Sequence, residues 1–186
     1  CLESFDFVIG SIHTRYGMNE RQMTDRVLKE NEPMRADDVM ARLREAFGTV
    51  YLFPSDKHDE FGHIDGMLRV IGDVAFVSDL SYDAALARAF EKALAEFVRA
   101  EQIHEVVRLP YTPAWDPLSA VGNYVNFLTW GGRNLVLPCY GTAHDALAET
   151  LIRRALPHFR LDTIDCTDLA KEGGVLNCVT GEYLRD

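Results

Sequence analysis

The amino-acid sequence predicts an α/β fold in which one strand–strand–helix–strand unit is used more than once. Three observations support this prediction: the same order of elements occurs twice, a glycine-containing turn separates the paired strands of each copy, and about sixty residues separate the equivalent positions Asp65 and Asn126. Repeated units of this kind bury their apolar faces against their neighbours. From the pattern alone, an ordinary α/β sandwich without true repeats remains an alternative.

The first copy begins with two strands, over residues 64–70 and 73–78, joined by a tight Ile-Gly-Asp turn. A helix is predicted over 82–99, because apolar residues recur at helical spacing and Gly and Pro are absent. Its buried face is expected to contain Leu86, Phe90, Leu94 and Phe97. The segment EVVRL, 105–109, is then expected to return as a strand.

The second copy repeats this order after a proline-containing loop. Its strands are expected over 123–130, 134–140 and 159–165, with a glycine pair between the first two. A helix over 145–156 is expected to stop at the following proline. A third copy is expected to start at 173–180.

The segment before the first copy is more varied. A strand is predicted over 5–14, a polar stretch over 19–33 is ambiguous between helix and loop, an amphipathic helix is predicted over 36–47, and a strand over 49–53. The whole chain, 1–186, is expected to form a single catalytic-type domain. Because it begins at Cys1 within an apparent segment, we expect an N-terminal part to be missing.

Composition and charge exclude several classes of protein. The chain has 186 residues, of which 47% are hydrophobic and 26% charged, so it can bury a core and disorder is not expected. Trp115 and Trp130 are both expected in that core. A net charge of −10 argues against nucleic-acid binding and weakly favours a cationic ligand. No apolar run approaches the roughly 18 residues of a membrane span, and no signal peptide is recognised.

The cysteines do not form a metal site or a disulfide framework by their spacing. They lie at Cys1, Cys139, Cys166 and Cys178, without a C-x-x-C pair or a zinc-type cluster with histidine. We therefore predict reduced thiols, no bound metal and a cytoplasmic protein.

Two short motifs and one equivalent position carry residues suited to chemistry. His63 and Asp65 stand two apart between glycines, so on a strand they would face one spot that other groups can approach closely. Cys178 follows a glycine pair, and a thiolate nucleophile needs a base and an orienting group. Asn126 holds in the second copy the position of Asp65 in the first. A structural histidine and a buried, inert cysteine remain the alternatives.

These motifs, taken in order, resemble a known superfamily. GHIDG, then NYVNF followed by LVLP, and finally GGVLNCVT occur in the order and approximate spacing of the guanidino-group-modifying enzymes, the pentein superfamily. The residues of the second and third motifs are similar to those of agmatine deiminases, and the interval from His63 to Cys178 resembles that of the bacterial peptidylarginine deiminases. The resemblance covers roughly residues 48–182.

The resemblance implies a fold and a reaction. The fold would be a pentein-type α/β propeller of ββαβ units, of which about three of five are present here. Cys178 would attack the guanidinium carbon, His63 would shuttle protons, Asp65 would bind two guanidinium nitrogens, and Asn126 would line the site. The enzyme would be a hydrolase that deiminates agmatine, arginine or peptidyl-arginine through a thiouronium intermediate and releases ammonia, with no metal or organic cofactor.

Two departures from the family pattern leave alternatives open. A second substrate-binding carboxylate, which the family takes from an N-terminal module, has no match, and Asn177 stands where agmatine deiminases often have His. The alternatives are an amidinotransferase that uses the same Cys178 and His63, and a truncated relative that only binds. The expected partner is a small guanidino cation or an arginine-containing peptide. Exposed module edges would favour a homo-oligomer.

Overall fold

The computed structural model describes residues 36–58 and 63–180. The strand predicted over 5–14 and the polar stretch 19–33 therefore lie outside the described residues. In chain order, the regular elements of the described part are α1 (Ala36–Phe47), a 3-10 turn (Ile64–Gly66), β1 (Leu68–Ile71), β2 (Val74–Ser78), α2 (Ala84–Ala100), β3 (Glu105–Leu109), β4 (Leu128–Trp130), β5 (Asn134–Cys139), α3 (Ala143–Ala155), β6 (Arg160–Asp165) and α4 (Thr167–Ala170).

Two three-stranded sheets share one topology. In the first, β1 is antiparallel to β2 and β2 is parallel to β3, while in the second the same relations join β4, β5 and β6. Each parallel pair is connected by a helix, α2 in the first sheet and α3 in the second, as a parallel crossover requires. The predicted repetition of a ββαβ unit is confirmed. Closure of such units into a propeller stays a prediction.

The central strand and the helix of the first unit follow directly from their sequence. All five residues of β2 (VAFVS) are buried, because its side chains alternate between the two apolar clusters that cover the faces of the sheet. Helix α2 starts at Asp83, whose carboxylate accepts hydrogen bonds from the backbone N–H groups of Ala85 and Leu86. These hydrogen bonds lower the pKa of Asp83. Three of the four residues expected on its apolar face, Leu86, Phe90 and Leu94, are buried.

The two units share one large core. Its buried side chains come from the second unit and also from β2 and β3 of the first, namely Val74, Phe76, Val107 and Leu109. Helix α3 contacts β3 across the junction of the two units. A second cluster fills the space between the first sheet and α2. The units therefore stabilise each other by burying apolar surface between them.

Several predicted strands differ in the structure. Residues 49–53 form no strand; the ring of Phe53 instead packs on Phe90 and Phe97, with centroids 5.2 and 5.9 Å away. β4 starts at Leu128, so 123–127 is not part of it. Residues 173–180 form turns after the unpredicted helix α4. A third strand–strand–helix–strand copy is therefore not present among the described residues.

The expectation that both tryptophans lie in the core is wrong. Trp115 is fully exposed and Trp130 is 44% exposed. Trp115 lies in the irregular segment between β3 and β4, and Trp130 ends the short edge strand β4, so neither position faces the shared core. Aromatic side chains on loops and edges remain accessible to ligands or to other segments. None of the helices in 36–58 and 63–180 combines the length and apolar character of a membrane span.

Candidate active site

Three segments that are far apart in the sequence line one cleft. Asp65 comes from the 3-10 turn before β1, Asn126 from the segment before β4, and Cys178 from the turns after α4. The cleft encloses about 430 Å³, counting the space open to solvent. Its lining comprises His63, Asp65, Gly66, Tyr111, Pro117, Leu118, Ser119, Ala120, Asn123, Asn126, Gly173, Val175 and Cys178. All four residues that the sequence singled out therefore reach the same cavity.

The thiol, the carboxylate and the amide form a close triangle. Nδ2 of Asn126 lies 3.0 Å from Oδ2 of Asp65 and 3.2 Å from Sγ of Cys178. The third side, from Sγ of Cys178 to Oδ2 of Asp65, measures 3.5 Å. A thiol and a carboxylate thus share one amide donor.

Asn126 also fixes the backbone around the thiol. It is 2% exposed, and its Oδ1 accepts hydrogen bonds from the backbone N–H groups of Asn177 (3.0 Å) and Cys178 (3.4 Å). Its Nδ2 also donates to the backbone carbonyl of Asp65 at 3.3 Å. A buried amide satisfied on both sides holds the Cys178 turn at a set distance from the Asp65 turn.

The turn that carries Asp65 is a 3-10 turn and not the predicted strand. The backbone N–H of Met67 donates to the carbonyl of Ile64 at 2.8 Å, which closes the turn. The carbonyl of Gly66 accepts from Oγ of Ser78 (2.9 Å) and from Nδ2 of Asn123 (3.2 Å). Side chains from both units therefore hold this turn in place.

His63 precedes this turn and lies at the border of the cleft. Its backbone is extended (φ −71°, ψ 137°) and its side chain is exposed. The predicted geometry, with His63 and Asp65 on one face of a strand, is therefore wrong, although both side chains still line the cleft. An exposed imidazole at the border of a cavity can exchange protons with solvent.

The surroundings of Cys178 keep its thiol protonated. Part of the side chain is open to solvent, but neighbouring atoms desolvate the sulfur, and this desolvation together with the charge of Asp65 raises the thiol pKa from 9.0 to about 11. The Asn126 amide opposes this shift. The glycine pair explains how the turn fits: a Cβ at Gly174 would lie 3.1 Å from Cβ of Cys178. A larger residue at Gly174 would push the cysteine away from its place.

The hydrogen bonds that described residues make to the Asp65 carboxylate all reach one oxygen. Oδ2 accepts from Asn126 and, at 2.8 Å, from Nδ2 of Asn177. Oδ1 accepts no hydrogen bond from the residues that the structure describes. A half-buried carboxylate held in this way can bind a cationic N–H group with its other oxygen. In the described ranges, no three His, Cys, Asp or Glu side chains are grouped so as to hold a metal ion.

Sequence analysis missed two residues of this network. Asn177 was noted only as a departure from the family pattern, yet its amide reaches Asp65. Nη1 of Arg69 donates a hydrogen bond to Oδ1 of Asn177. One signal in the sequence marks Arg69: it is a charged residue within an apolar strand that follows the GHIDG motif.

Solved structures of deiminases resemble this chain. A candidate arginine deiminase from Porphyromonas gingivalis is 27% identical, with a TM-score of 0.64 over 86% of this chain and 51% of its own. A C. jejuni agmatine deiminase with substrate bound, in a Cys-to-Ser variant, is 20% identical, with a TM-score of 0.61 over 87% and 52%. An Enterococcus faecalis agmatine deiminase is 17% identical, with a TM-score of 0.54 over 66% and 40%. The chain thus spans about half the length of the first two structures.

These structural similarities support the mixed α/β fold. The amino-acid sequence itself also matches the model of a protein family. No curated protein matches the chain. The model of the Porphyromonas-type peptidyl-arginine deiminases matches residues 14–183, a range that contains both ββαβ units and all four candidate site residues. This match confirms the resemblance inferred from the three motifs. The chain belongs to the Porphyromonas-type peptidyl-arginine deiminase family.

Proposed function

We propose that this chain provides the nucleophile, the proton shuttle and a substrate-binding carboxylate of a hydrolase that deiminates guanidino compounds. Residues 1–186 then form one catalytic-type domain. The substrate is a guanidinium cation, either small, as in agmatine or arginine, or borne by a peptide. Family membership supports this class of reaction.

One observation carries the proposal: Sγ of Cys178, Oδ2 of Asp65 and Nδ2 of Asn126 lie within 3.5 Å of one another at the edge of a cleft. A carboxylate so close to a resting thiol is unfavourable for thiolate chemistry on a neutral substrate, because its charge raises the thiol pKa. With a cation bound to the carboxylate, the same arrangement favours the thiolate. The cluster therefore suits a substrate that carries its positive charge next to the atom under attack.

In the first half of the reaction, Cys178 forms a bond to the guanidinium carbon. Asp65 holds guanidinium N–H groups, which fixes the plane of the substrate in front of the sulfur. The thiol proton of Cys178 passes to His63, the resulting thiolate adds to the carbon, and His63 donates this proton to the nitrogen that leaves. The C–N bond breaks, ammonia departs, and a thiouronium group remains on Cys178.

In the second half, water replaces the thiol. His63, now neutral, accepts a proton from water, and the oxygen adds to the thiouronium carbon. The C–S bond breaks, its electron pair returns to Cys178, His63 returns its proton to the sulfur, and the remaining hydroxyl proton of the adduct passes to solvent. The product is a ureido compound, and one water molecule has been consumed for each ammonia released. The Asn126 amide, which donates toward the sulfur, stabilises the thiolate as it forms and as it departs.

The test is ammonia release from agmatine, free arginine and a peptide with a C-terminal arginine. We expect release from at least one of them and its loss in Cys178→Ala. Cys139→Ala is the matched control, because Cys139 is a free cysteine at the end of β5 that does not line the cleft. The preferred substrate identifies the branch of the family.

Two results would contradict the proposal. One is that the folded protein releases no ammonia from any of the three compounds. The other is that Cys178→Ala releases ammonia as fast as the unsubstituted protein. Product that forms only when an acceptor amine is supplied would instead indicate amidino transfer by the same cysteine.

A further inference from the structure

We infer that Arg69 is a positioning residue of this site, which orients Asn177 and through it fixes the Asp65 carboxylate beside Cys178. The inference rests on the proposed function, because it concerns how the carboxylate is presented to a guanidinium group. It assigns a role to an arginine 108 residues away from its partner in the sequence.

The direction of the Asn177 amide is set by its two partners. Nη1 of Arg69 donates to Oδ1 of Asn177, and Nδ2 of Asn177 donates to Oδ2 of Asp65 at 2.8 Å. An arginine is always protonated and can only donate hydrogen bonds. It therefore requires the amide oxygen on its side, which leaves the NH₂ group facing the carboxylate. A flipped amide would lose both bonds.

Arg69 is itself held by the second unit. Its guanidinium carbon lies 5.3 Å from the centroid of the Phe127 ring, and Phe127 is fully buried next to Asn126 in the sequence. The Phe127 ring also contacts Phe76 edge-to-face, with centroids 5.4 Å apart. Arg69 on β1 is thus stacked against one segment of the site and bonded to another. It joins all three segments that form the cleft.

The consequence is a carboxylate with little freedom to rotate. Oδ2 of Asp65 accepts two amide donors, one from Asn126 at 3.0 Å and one from Asn177. Without Arg69, the Asn177 amide can turn over, and Oδ2 keeps a single amide donor. Asp65 then binds a cation in a less defined position, whereas Cys178 and its backbone remain held by Asn126.

Two alkylating reagents, one cationic and one neutral, distinguish how well Asp65 positions a cation beside Cys178 from how reactive the Cys178 thiol is in general. In 2-chloroacetamidine and 2-chloroacetamide the Cys178 thiolate displaces chloride, so a C–S bond forms as the C–Cl bond breaks. Only the amidine is a planar cation like a guanidinium group. The ratio of the two rates at Cys178, divided by the ratio for free cysteine, measures how well Asp65 presents the cation. For the unsubstituted protein we expect a preference of at least about tenfold.

Arg69→Met and Asn177→Ala are each expected to lower this preference about tenfold, since small displacements of an orienting group have large effects on rate. The double variant is expected to lose no more than either single one, because both act through one hydrogen-bonded path. Arg108→Met is the matched control: Arg108 is an exposed arginine on β3 of the same sheet, paired with Glu91. The preference of Arg108→Met for the amidine over the amide should equal that of the unsubstituted protein.

A preference in Arg69→Met within twofold of the unsubstituted protein overturns this inference and leaves the proposed function standing. Multiplicative losses in the double variant overturn the path through Asn177. If Arg69→Met does not fold, Asn177→Ala decides alone, because Asn177 is a half-buried turn residue whose truncation the fold should tolerate. An unsubstituted protein that shows no preference for the amidine overturns the proposed function and, with it, this inference.

Discussion

Sγ of Cys178 lies 3.5 Å from Oδ2 of Asp65, so the thiol and the carboxylate share one small volume. In the empty site their proximity opposes ionisation of the thiol and contributes to its pKa of about 11. A bound cation removes this opposition by compensating the charge of Asp65. The site is therefore expected to remain unreactive until a cationic substrate arrives, and several measurements can check this relationship.

The first prediction concerns the pH dependence of alkylation by iodoacetamide, which is neutral. Because the folded-state pKa of Cys178 is raised from 9.0 to about 11, its thiolate fraction near pH 8 should be about a hundredfold below that of an unperturbed thiol. The rate should then rise with pH until about pH 11. Alkylation at each pH, followed by mass spectrometry of the Cys178 peptide, gives the midpoint.

The substitution Asp65→Asn should move this midpoint downward, because it removes a negative charge that raises the thiol pKa. At pH 8, alkylation should be faster by about tenfold. Asp73→Asn is the control, since Asp73 is an exposed aspartate in the β1–β2 turn, paired with His104. A midpoint that is the same in Asp65→Asn and in the unsubstituted protein would contradict the role given to this carboxylate.

The second prediction concerns the stability contributed by Asn126. Asn126→Ala removes the acceptor of the Cys178 backbone N–H and leaves the Asn177 N–H only the backbone carbonyl of residue 126, and it creates a gap at a buried position. The free energy of unfolding should fall by about 2 kcal/mol. Urea unfolding followed by circular dichroism measures it.

Asn134→Ala is the matched control for this substitution. Asn134 donates one exposed hydrogen bond to the carbonyl of Trp130 in the β4–β5 turn, so its loss should cost less than about 0.5 kcal/mol. Equal losses for Asn126→Ala and Asn134→Ala would show that the buried amide contributes no more than a surface amide.

The third prediction concerns the close contact behind the cysteine. In Gly174→Ala, the new Cβ would lie 3.1 Å from Cβ of Cys178 and 3.8 Å from its Sγ. The turn must shift to accommodate it, so alkylation of Cys178 by 2-chloroacetamidine should slow by about tenfold. Rates measured at one pH for the folded variant check this expectation.

Gly132→Ala separates this local effect from a general loss of stability. Gly132 adopts a φ of +79° in the β4–β5 turn, and a Cβ there would meet nothing within 4 Å. Its substitution should therefore lower the unfolding temperature through backbone strain and leave the alkylation rate unchanged. If both variants slow alkylation equally, the Gly174 contact is not the cause.

The sequence predicts the repeated unit well and the local geometry of the site poorly. Strand pairing and both crossover helices follow from periodicity and turn residues, which act over short stretches of chain. The 3-10 turn over Ile64–Gly66 does not, because the carbonyl of Gly66 is held by Ser78 and by Asn123, the latter from the other unit. The sequence does not show which distant residues will bond to this stretch, so a short apolar segment after a glycine is predicted as a strand.

The same limit explains why the candidate site residues can be recognised in the sequence and the residues that hold them in place cannot. His63, Asp65 and Cys178 stand in short motifs, so order and spacing reveal them. The hydrogen bond between Arg69 and Asn177 joins residues 108 positions apart, and although each stands beside a motif, nothing in the sequence pairs them. Long-range hydrogen bonds depend on how the units pack, which periodicity does not encode.

The last prediction tests the hydrogen-bonded group that fixes the start of α3. The hydroxyl of the fully buried Tyr124 donates to Oδ1 of Asp145 at 2.6 Å and lies 3.1 Å from Oγ1 of Thr142. Thr142 and Asp145 also form the capping box of that helix. Tyr124→Phe removes one donor to a carboxylate while the ring stays in place, so the free energy of unfolding should fall by about 1.5 kcal/mol.

Tyr51→Phe is the comparison that distinguishes a buried hydroxyl from an exposed one. The Tyr51 hydroxyl donates to Oε1 of Glu101 at 2.7 Å, but this bond is exposed to solvent, so its removal should cost less than about 0.5 kcal/mol. Urea unfolding of both variants at pH 7 gives the two values directly. Because α3 packs on β3 of the first unit, a loss in Tyr124→Phe as small as that in Tyr51→Phe would mean that the cap does not anchor the junction between the two units.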